Sequence, residues 1–339
     1  MSLDGLAEFS FAPIRASVDA GRIPGAVLGL VSVSGERATR WAGAVQRTPT
    51  LEAMRRETWF DLASLTKVIF TTTTILRLAE QDRLGLDEPL AQAIPDLRQY
   101  HAAAPERGLT YRQCLAHQTH LPAVEPLYSY GLEPQTLRAF ILQRAWLAGP
   151  PVYSDINFML LGIAIERLTG TALKDLPQPA GLSFSPDAAA CAATMFCPWR
   201  GRLLRGEVDD ENAYALGGAA GHAGLFGTVD AVLDFAQSLL DGRALRPQSI
   251  TLLRERQGGN RTLGWEMRHE GWSGGEACSA QSIGHTGFTG TGLWIDWERG
   301  LAWSLLTNRV HPSRHAETGI ATLRCQVGER AIEAFDRAR

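Results

Sequence analysis

The chain has 339 residues, 45% of them hydrophobic and 20% charged, long enough for one large or two ordinary folded units and too apolar for wholesale disorder. A formal net charge of −3, with Lys and Arg scattered, provides no field that would draw the chain to nucleic acid or an anionic membrane. The five cysteines (Cys114, Cys191, Cys197, Cys278, Cys325) lack the paired spacings of a zinc site; Cys191 and Cys197 could bridge locally, but free thiols are the expectation.

Residues 1–13 show no basic region leading into an apolar run and a small-residue cleavage site, so a cytoplasmic location is expected. No uninterrupted apolar window of about 18 residues occurs, so no spanning helix and no membrane partner is expected. The run from Gly25 to Val33, the turn Ser34-Gly35 and a second run from Ala38 to Val45 predict a hairpin. A similar pair recurs near the other end, where Gly292 to Ile295 and Leu301 to Leu306 flank the turn-rich 296–300.

Between these strands the periodicity is helical over Ser64 to Gln81, Leu137 to Trp146, Asn157 to Thr169 closed by Gly170, and Val229 to Leu240 closed by Gly242. From about Ala316 onward, Ile320, Leu323, Val327, Ile332 and Phe335 recur at helical spacing and should cover the sheet. The fold class expected is α/β in the α+β sense. Residues 1–80 and 260–339 would form an antiparallel sheet domain flanked by helices, with 81–259 as an inserted, mainly helical domain.

Three motifs carry chemistry. In Ser64-Leu-Thr-Lys67, at the expected start of a helix, residues three apart share a face, so the Lys67 amine can reach the Ser64 hydroxyl. The helix N-terminus would favour a developing alkoxide and disfavour a protonated Lys67. A serine needs such help because its free hydroxyl is a weak nucleophile. Tyr153-Ser154-Asp155 precedes the helix near Asn157. Tyr153 is the candidate proton carrier and needs a cation beside it, whereas the bland reading packs Tyr153 on a helix start with Asp155 as N-cap. Gly284-His285-Thr286-Gly287 leads into a strand, where glycine-flanked polar residues allow a substrate close to the backbone.

Together Ser64-Leu-Thr-Lys67, Tyr153-Ser-Asp155 and His285-Thr-Gly287 resemble the three signature motifs of the β-lactamase-related serine hydrolases. That superfamily includes class C β-lactamases, penicillin-binding proteins, D-alanyl-D-alanine carboxypeptidases, D-amino-acid peptidases and esterases. The stretches 115–122, 221–226 and 305–309 agree, and the resemblance runs from about Gly25 to the C-terminal helix. It implies a β-lactamase/transpeptidase-like fold in which Ser64 is acylated while Lys67 and Tyr153 relay its proton. It also implies an oxyanion hole from the backbone N–H groups of Ser64 and Phe288, which could supply about 3 kcal/mol to the transition state. His285, Thr286 and Gly287 would line the edge strand and steer substrate, and Asp155 would contact it. No cofactor and no metal is implied, and the partner is a small-molecule or peptide substrate.

Two positions depart from class C enzymes: Asp155 stands where Asn is usual and His285 where Lys is usual. An ionised Asp only accepts hydrogen bonds, whereas an amide also donates. Both changes weigh against an efficient β-lactamase and toward an esterase or peptidase. Arg309, just after the last strand, is a candidate for a substrate carboxylate. Competing readings are a penicillin-recognising binding or sensor protein without turnover, and an α/β-hydrolase using Ser273 within Gly271-Trp-Ser-Gly-Gly275. The latter needs a strand before the serine and a helix after it. His117 with His120, and His311 with His315, lack the Glu or third ligand of a hydrolytic zinc site and read as structural.

Overall fold

The computed structural model describes residues 2–338. Its main sheet has seven strands, all paired antiparallel, in the order Glu52–Ala53, Arg37–Gln46, Gly25–Ser32, Leu301–Thr307, Gly292–Asp296, Ile283–Thr286, Glu266–Met267. The two expected hairpins form and meet at the centre, where Leu28 opposes Leu305 and Leu30 opposes Trp303. Strands drawn from both ends of the chain therefore close one sheet.

Side chains of a strand alternate between its two faces, so a strand covered on both sides reads as a continuous apolar run. In Gly25–Ser32, Val27 and Val31 enter one core while Ala26, Leu28 and Leu30 enter the other. The second core lies under the N-terminal helix Leu3–Asp19 and the C-terminal helix Ile320–Ala338, and holds Phe11, Trp294, Trp303 and Val327. The first core lies under the helix Val229–Leu240 and continues into the segments from 60 to 263. At Gly29 a Cβ would stand 2.6 Å from Val229 Cγ2, so the absence of a side chain sets how closely that helix packs on the sheet.

The helix Asp155–Thr169 ends at Gly170 in the left-handed conformation, as its sequence predicts. The helix expected over Leu137 to Trp146 runs Pro134–Gln143. The helix Leu3–Asp19 adds to the expected elements; its Leu3, Leu6, Ala7, Phe11 and Ile14 recur at helical spacing and all are buried. All five cysteines are free thiols. Among the described residues no helix is long and apolar enough to cross a membrane.

Candidate active site

The expected helix from Ser64 to Gln81 is not one α-helix. A 3-10 turn, Ala63–Leu65, runs into a π-helical stretch, Lys67–Thr72, and only then into an α-helix, Thr73–Glu80. The threonine run explains the wide turn: the Thr72 and Thr73 hydroxyls donate to the carbonyls of Lys67 and Val68, five residues back, at 2.7 and 3.0 Å. Ala63 is left-handed at φ 48°, a costly conformation for a residue with a Cβ, and its N–H donates to the buried Asp61 carboxylate at 2.8 Å. The other Asp61 oxygen accepts from the Asp209 N–H at 2.6 Å.

Burial pushes the Asp61 carboxyl up to about 7, with the Asp209 charge adding to the effect and the two backbone bonds opposing it. The folded state therefore holds a proton here that the unfolded chain releases near its ordinary value of 3.8. That contribution is full below the unfolded pKa and is lost as pH rises through about 7; by linkage it amounts to at most roughly 4 kcal/mol. Between pH 5 and 8 the wild-type melting temperature should fall more steeply than that of Asp61→Asn, which cannot ionise; its amide nitrogen cannot accept the second backbone N–H, so the slopes and not the absolute temperatures are compared. Parallel slopes in calorimetry would remove Asp61 from the account.

Lys67 is fully buried, and its Nζ donates to Ser64 Oγ at 3.0 Å and to the His222 carbonyl at 3.1 Å. Asp155, the first residue of its helix, stands 2.8 Å from the same Nζ, while Ser154 and not Asp155 is the N-cap. Burial would lower the Lys67 amine, but the charge of Asp155, then Tyr153, outweighs it and holds the pKa above the ordinary lysine value. The expectation that the helix end keeps Lys67 uncharged is thereby corrected, because a carboxylate in contact exceeds a helix-end effect of about 1 kcal/mol.

Tyr153 lies with its ring centroid 5.0 Å from Lys67 Nζ. His117 and His285 pack on it at centroid distances of 4.5 and 5.9 Å, and the Arg261 guanidinium carbon lies 5.0 Å from its centroid. Burial, followed by Arg261 and Lys67, holds both imidazoles well below their ordinary pKa, so both are neutral. His117 Nδ1 accepts from the Ser154 N–H at 3.0 Å, which leaves its proton on Nε2. His285 Nδ1 lies 2.9 Å from the Thr286 carbonyl and carries its proton there. His285 is only 3% exposed, with its ring against that of Tyr153.

The loop after His285-Thr286 is tied to the strand before Ser64. Thr289 Oγ1 donates to the Asp61 carbonyl at 2.7 Å, and Thr291 Oγ1 to the Leu62 carbonyl at 3.0 Å. Arg309 Nε donates to the Phe288 carbonyl at 2.9 Å, and the guanidinium stacks on the Phe288 ring. From the C-terminal helix, buried Arg324 donates through Nη2 to the carbonyls of Gly287 and Thr291 at 2.8 and 2.7 Å. Ser64 and Phe288 line one cavity of about 330 Å³ together with Val124, Tyr128, Asp210 and Arg314.

Ser64, Lys67, Tyr153, Asp155 and His285 thus converge, and the Gly287–Phe288 segment lies beside them. Sequence reasoning missed Asp210, Arg261 and Arg324, read His117 as structural, and took in His222 only as part of the stretch 221–226. Asp155, Asp210 and His222 place one ligand atom each within 4.8 Å of one another, a grouping that could hold a metal ion. Its positive charge is supplied by the Lys67 ammonium against Asp155. Ser273 sits in a turn without a following helix and accepts the Trp294 indole N–H at 3.1 Å, so it lacks the elbow geometry. His311 is structural, bonded to the Thr194 carbonyl and the Arg47 N–H.

The family model for Beta-lactamase matches residues 12–325. The chain belongs to the beta-lactamase family. It is 30% identical over 308 residues to an N-acetylmuramyl-L-alanine amidase of Bacillus subtilis strain 168, covering 76% of this chain and 69% of that protein. A putative D-alanyl-D-alanine carboxypeptidase of Escherichia coli K12 is 28% identical over 309 residues, with 75% and 70% covered. Among solved structures, EstCE1, a hydrolase with promiscuous acyltransferase activity, superposes with a TM-score of 0.75 over 96% of this chain and 98% of that one, at 21% identity. At the level of its family the protein is a serine hydrolase of the beta-lactamase fold.

Proposed function

We propose that the protein cleaves an ester or a peptide/amide bond through an acyl-enzyme on Ser64, and β-lactams less readily. The observation that carries this reading is the 3.0 Å contact from the buried Lys67 ammonium to Ser64 Oγ, with Asp155 fixing the charge of that ammonium. A protonated Lys67 does not take the serine proton. It compensates the charge on whichever oxygen has lost one, while the Tyr153 hydroxyl gives its own proton to the leaving group as its oxygen takes the proton of Ser64. The Ser64 oxygen forms the acyl bond, the leaving group departs with that proton, and water returned along the same route releases the acid. The N–H groups of Ser64 and Phe288 receive the oxyanion. Amidase and carboxypeptidase names among the relatives support a peptide-like substrate, and the shared fold with a hydrolase of promiscuous acyltransferase activity is compatible with acyl transfer from other acyl donors.

Mixing the protein separately with a fluorophosphonate, a penicillin and a short-chain nitrophenyl ester ranks these bonds by intact mass and chromophore release. We expect single labelling by the fluorophosphonate, sustained release from the ester and slow penicillin turnover. A stable penicillin adduct with no ester turnover would favour the sensor reading instead.

A further inference from the structure

We infer that the protein carries a second ligand site, for a carboxylate with an apolar body, in the cavity between the helices Thr73–Glu80 and Val229–Leu240. That cavity measures about 540 Å³ against about 330 Å³ for the one at Ser64, and no residue lines both. Its volume lies within the range of small-molecule sites. The floor is apolar because several elements turn core residues toward it. Ile69 and Phe70 come from the π-helical stretch after Ser64, Leu78 from the α-helix that follows, and Leu182 from a short strand, Leu182–Ser183; all four are buried. Phe235 adds a half-buried ring from the helix Val229–Leu240. Residues 176–180 form one wall, in which Pro177 and Pro179 have no backbone N–H to offer and the Gln178 amide is turned to the Leu176 carbonyl.

The rim carries the charge. Among the described residues the lining includes three charged side chains, Arg77, Arg83 and Asp234, all exposed. Asp234 is already paired, 2.8 Å from Arg37, which does not line the cavity. Arg77 Nε donates to the Ala244 carbonyl at 3.3 Å and Arg83 Nη2 to the Leu168 carbonyl, and among the described residues neither has an acidic partner. Glu80 and Asp82, their neighbours in the sequence, are not part of the lining, and Glu80 accepts the Arg246 N–H at 2.7 Å. A guanidinium has five N–H donors, so each arginine keeps most of them for a ligand. An apolar floor under two cations that lack an acid is complementary to an anion with an apolar body, and a carboxylate matches the fork of a guanidinium. A cationic ligand would meet like charges, and a neutral one would leave both guanidiniums to water.

The test is calorimetric titration at low ionic strength with 2-naphthoate and with 2-naphthamide, its neutral isostere. An apolar body of this size should bind with a Kd of about 0.1 to 1 mM. The carboxylate should bind about three- to tenfold more tightly than the amide, the value of exposed ion pairs. In the double variant Arg77→Gln, Arg83→Gln the ratio should fall to about one while naphthamide affinity stays at its wild-type value, and a ratio is insensitive to partial loss of folded protein. Labelling Ser64 with a fluorophosphonate beforehand should leave naphthoate binding intact. No saturable naphthoate binding in the millimolar range, a wild-type ratio of one, or a ratio unmoved in the double variant overturns the inference. So does loss of naphthoate binding in the labelled protein, which would place the ligand in the cleft. Failure of the fluorophosphonate to label Ser64 would instead refute the nucleophile, and the comparison of wild type with the double variant would still decide the second site.

Discussion

Ser64→Ala removes fluorophosphonate labelling and lowers ester turnover by on the order of 10⁴- to 10⁶-fold, the range expected when a nucleophile that acts as part of a unit is lost. The fold should tolerate the change. Ser64 Oγ contributes one acceptor to Lys67, and Lys67 keeps its bond to the His222 carbonyl and its contact with Asp155. Melting temperature should therefore stay close to wild type, and the lost activity can be assigned to chemistry. Ser273→Ala serves as the control: its hydroxyl accepts an indole N–H on the far side of the sheet from the first core, and its loss should leave labelling at Ser64 intact. A Ser64→Ala protein that retained a tenth of wild-type turnover would end the acyl-serine reading.

How much of this was legible beforehand differs between elements for physical reasons. The central hairpins could be read because strands buried on both faces need unbroken apolar runs, and Gly25–Ser32 and Leu301–Thr307 supply them. Ser64 and Lys67 could be paired because a helical turn brings positions three apart together, and the wide π turn that follows does not disturb that relation. The charge of Lys67 could not be read, since it depends on competition between burial and a carboxylate from a helix almost ninety positions along the chain. Asp210 and His222 escaped for a related reason. A run of acids before a short helix reads as capping, and Asp210 does cap, accepting from the Ala213 N–H at 2.7 Å while also lying 3.1 Å from His222. Arg309, expected as a carboxylate binder from its place after a strand, also holds the Phe288 carbonyl through Nε.

Arg324 is the case with the largest expected effect that no local pattern announces. It lies among Leu323 and Val327 on a helix whose apolar stripe explains itself by covering the sheet, and an arginine there reads as a surface residue. In the fold it is buried, its pKa drawn down to about 10 chiefly by burial and next by Arg309, so at neutral pH it remains a buried cation. One Nη2 atom donates to both ends of the loop that carries Phe288, and Gly287 N–H closes the same loop on the Thr291 carbonyl at 2.9 Å. Gly287 itself has no room for a Cβ, which would meet Thr291 Oγ1 at 2.0 Å and the Leu62 carbonyl at 2.7 Å. The loop is thus tied to the residues that lead into Ser64, and under the proposed function this would keep the amide donors of Ser64 and Phe288 in register. Loss of one oxyanion donor costs about 10²- to 10³-fold in kcat, and a donor left in place but loosely held should cost less. Arg324→Met should therefore lower kcat by roughly ten- to a hundredfold with KM moved far less, and weaken a boronate transition-state analogue in proportion to kcat. Arg324→Lys, which can restore one of the two bonds, should recover part of the loss. A variant in which kcat and boronate affinity stay at wild-type values while only the melting temperature falls would make Arg324 a structural residue and leave the loop held by Thr289, Thr291 and Arg309 alone.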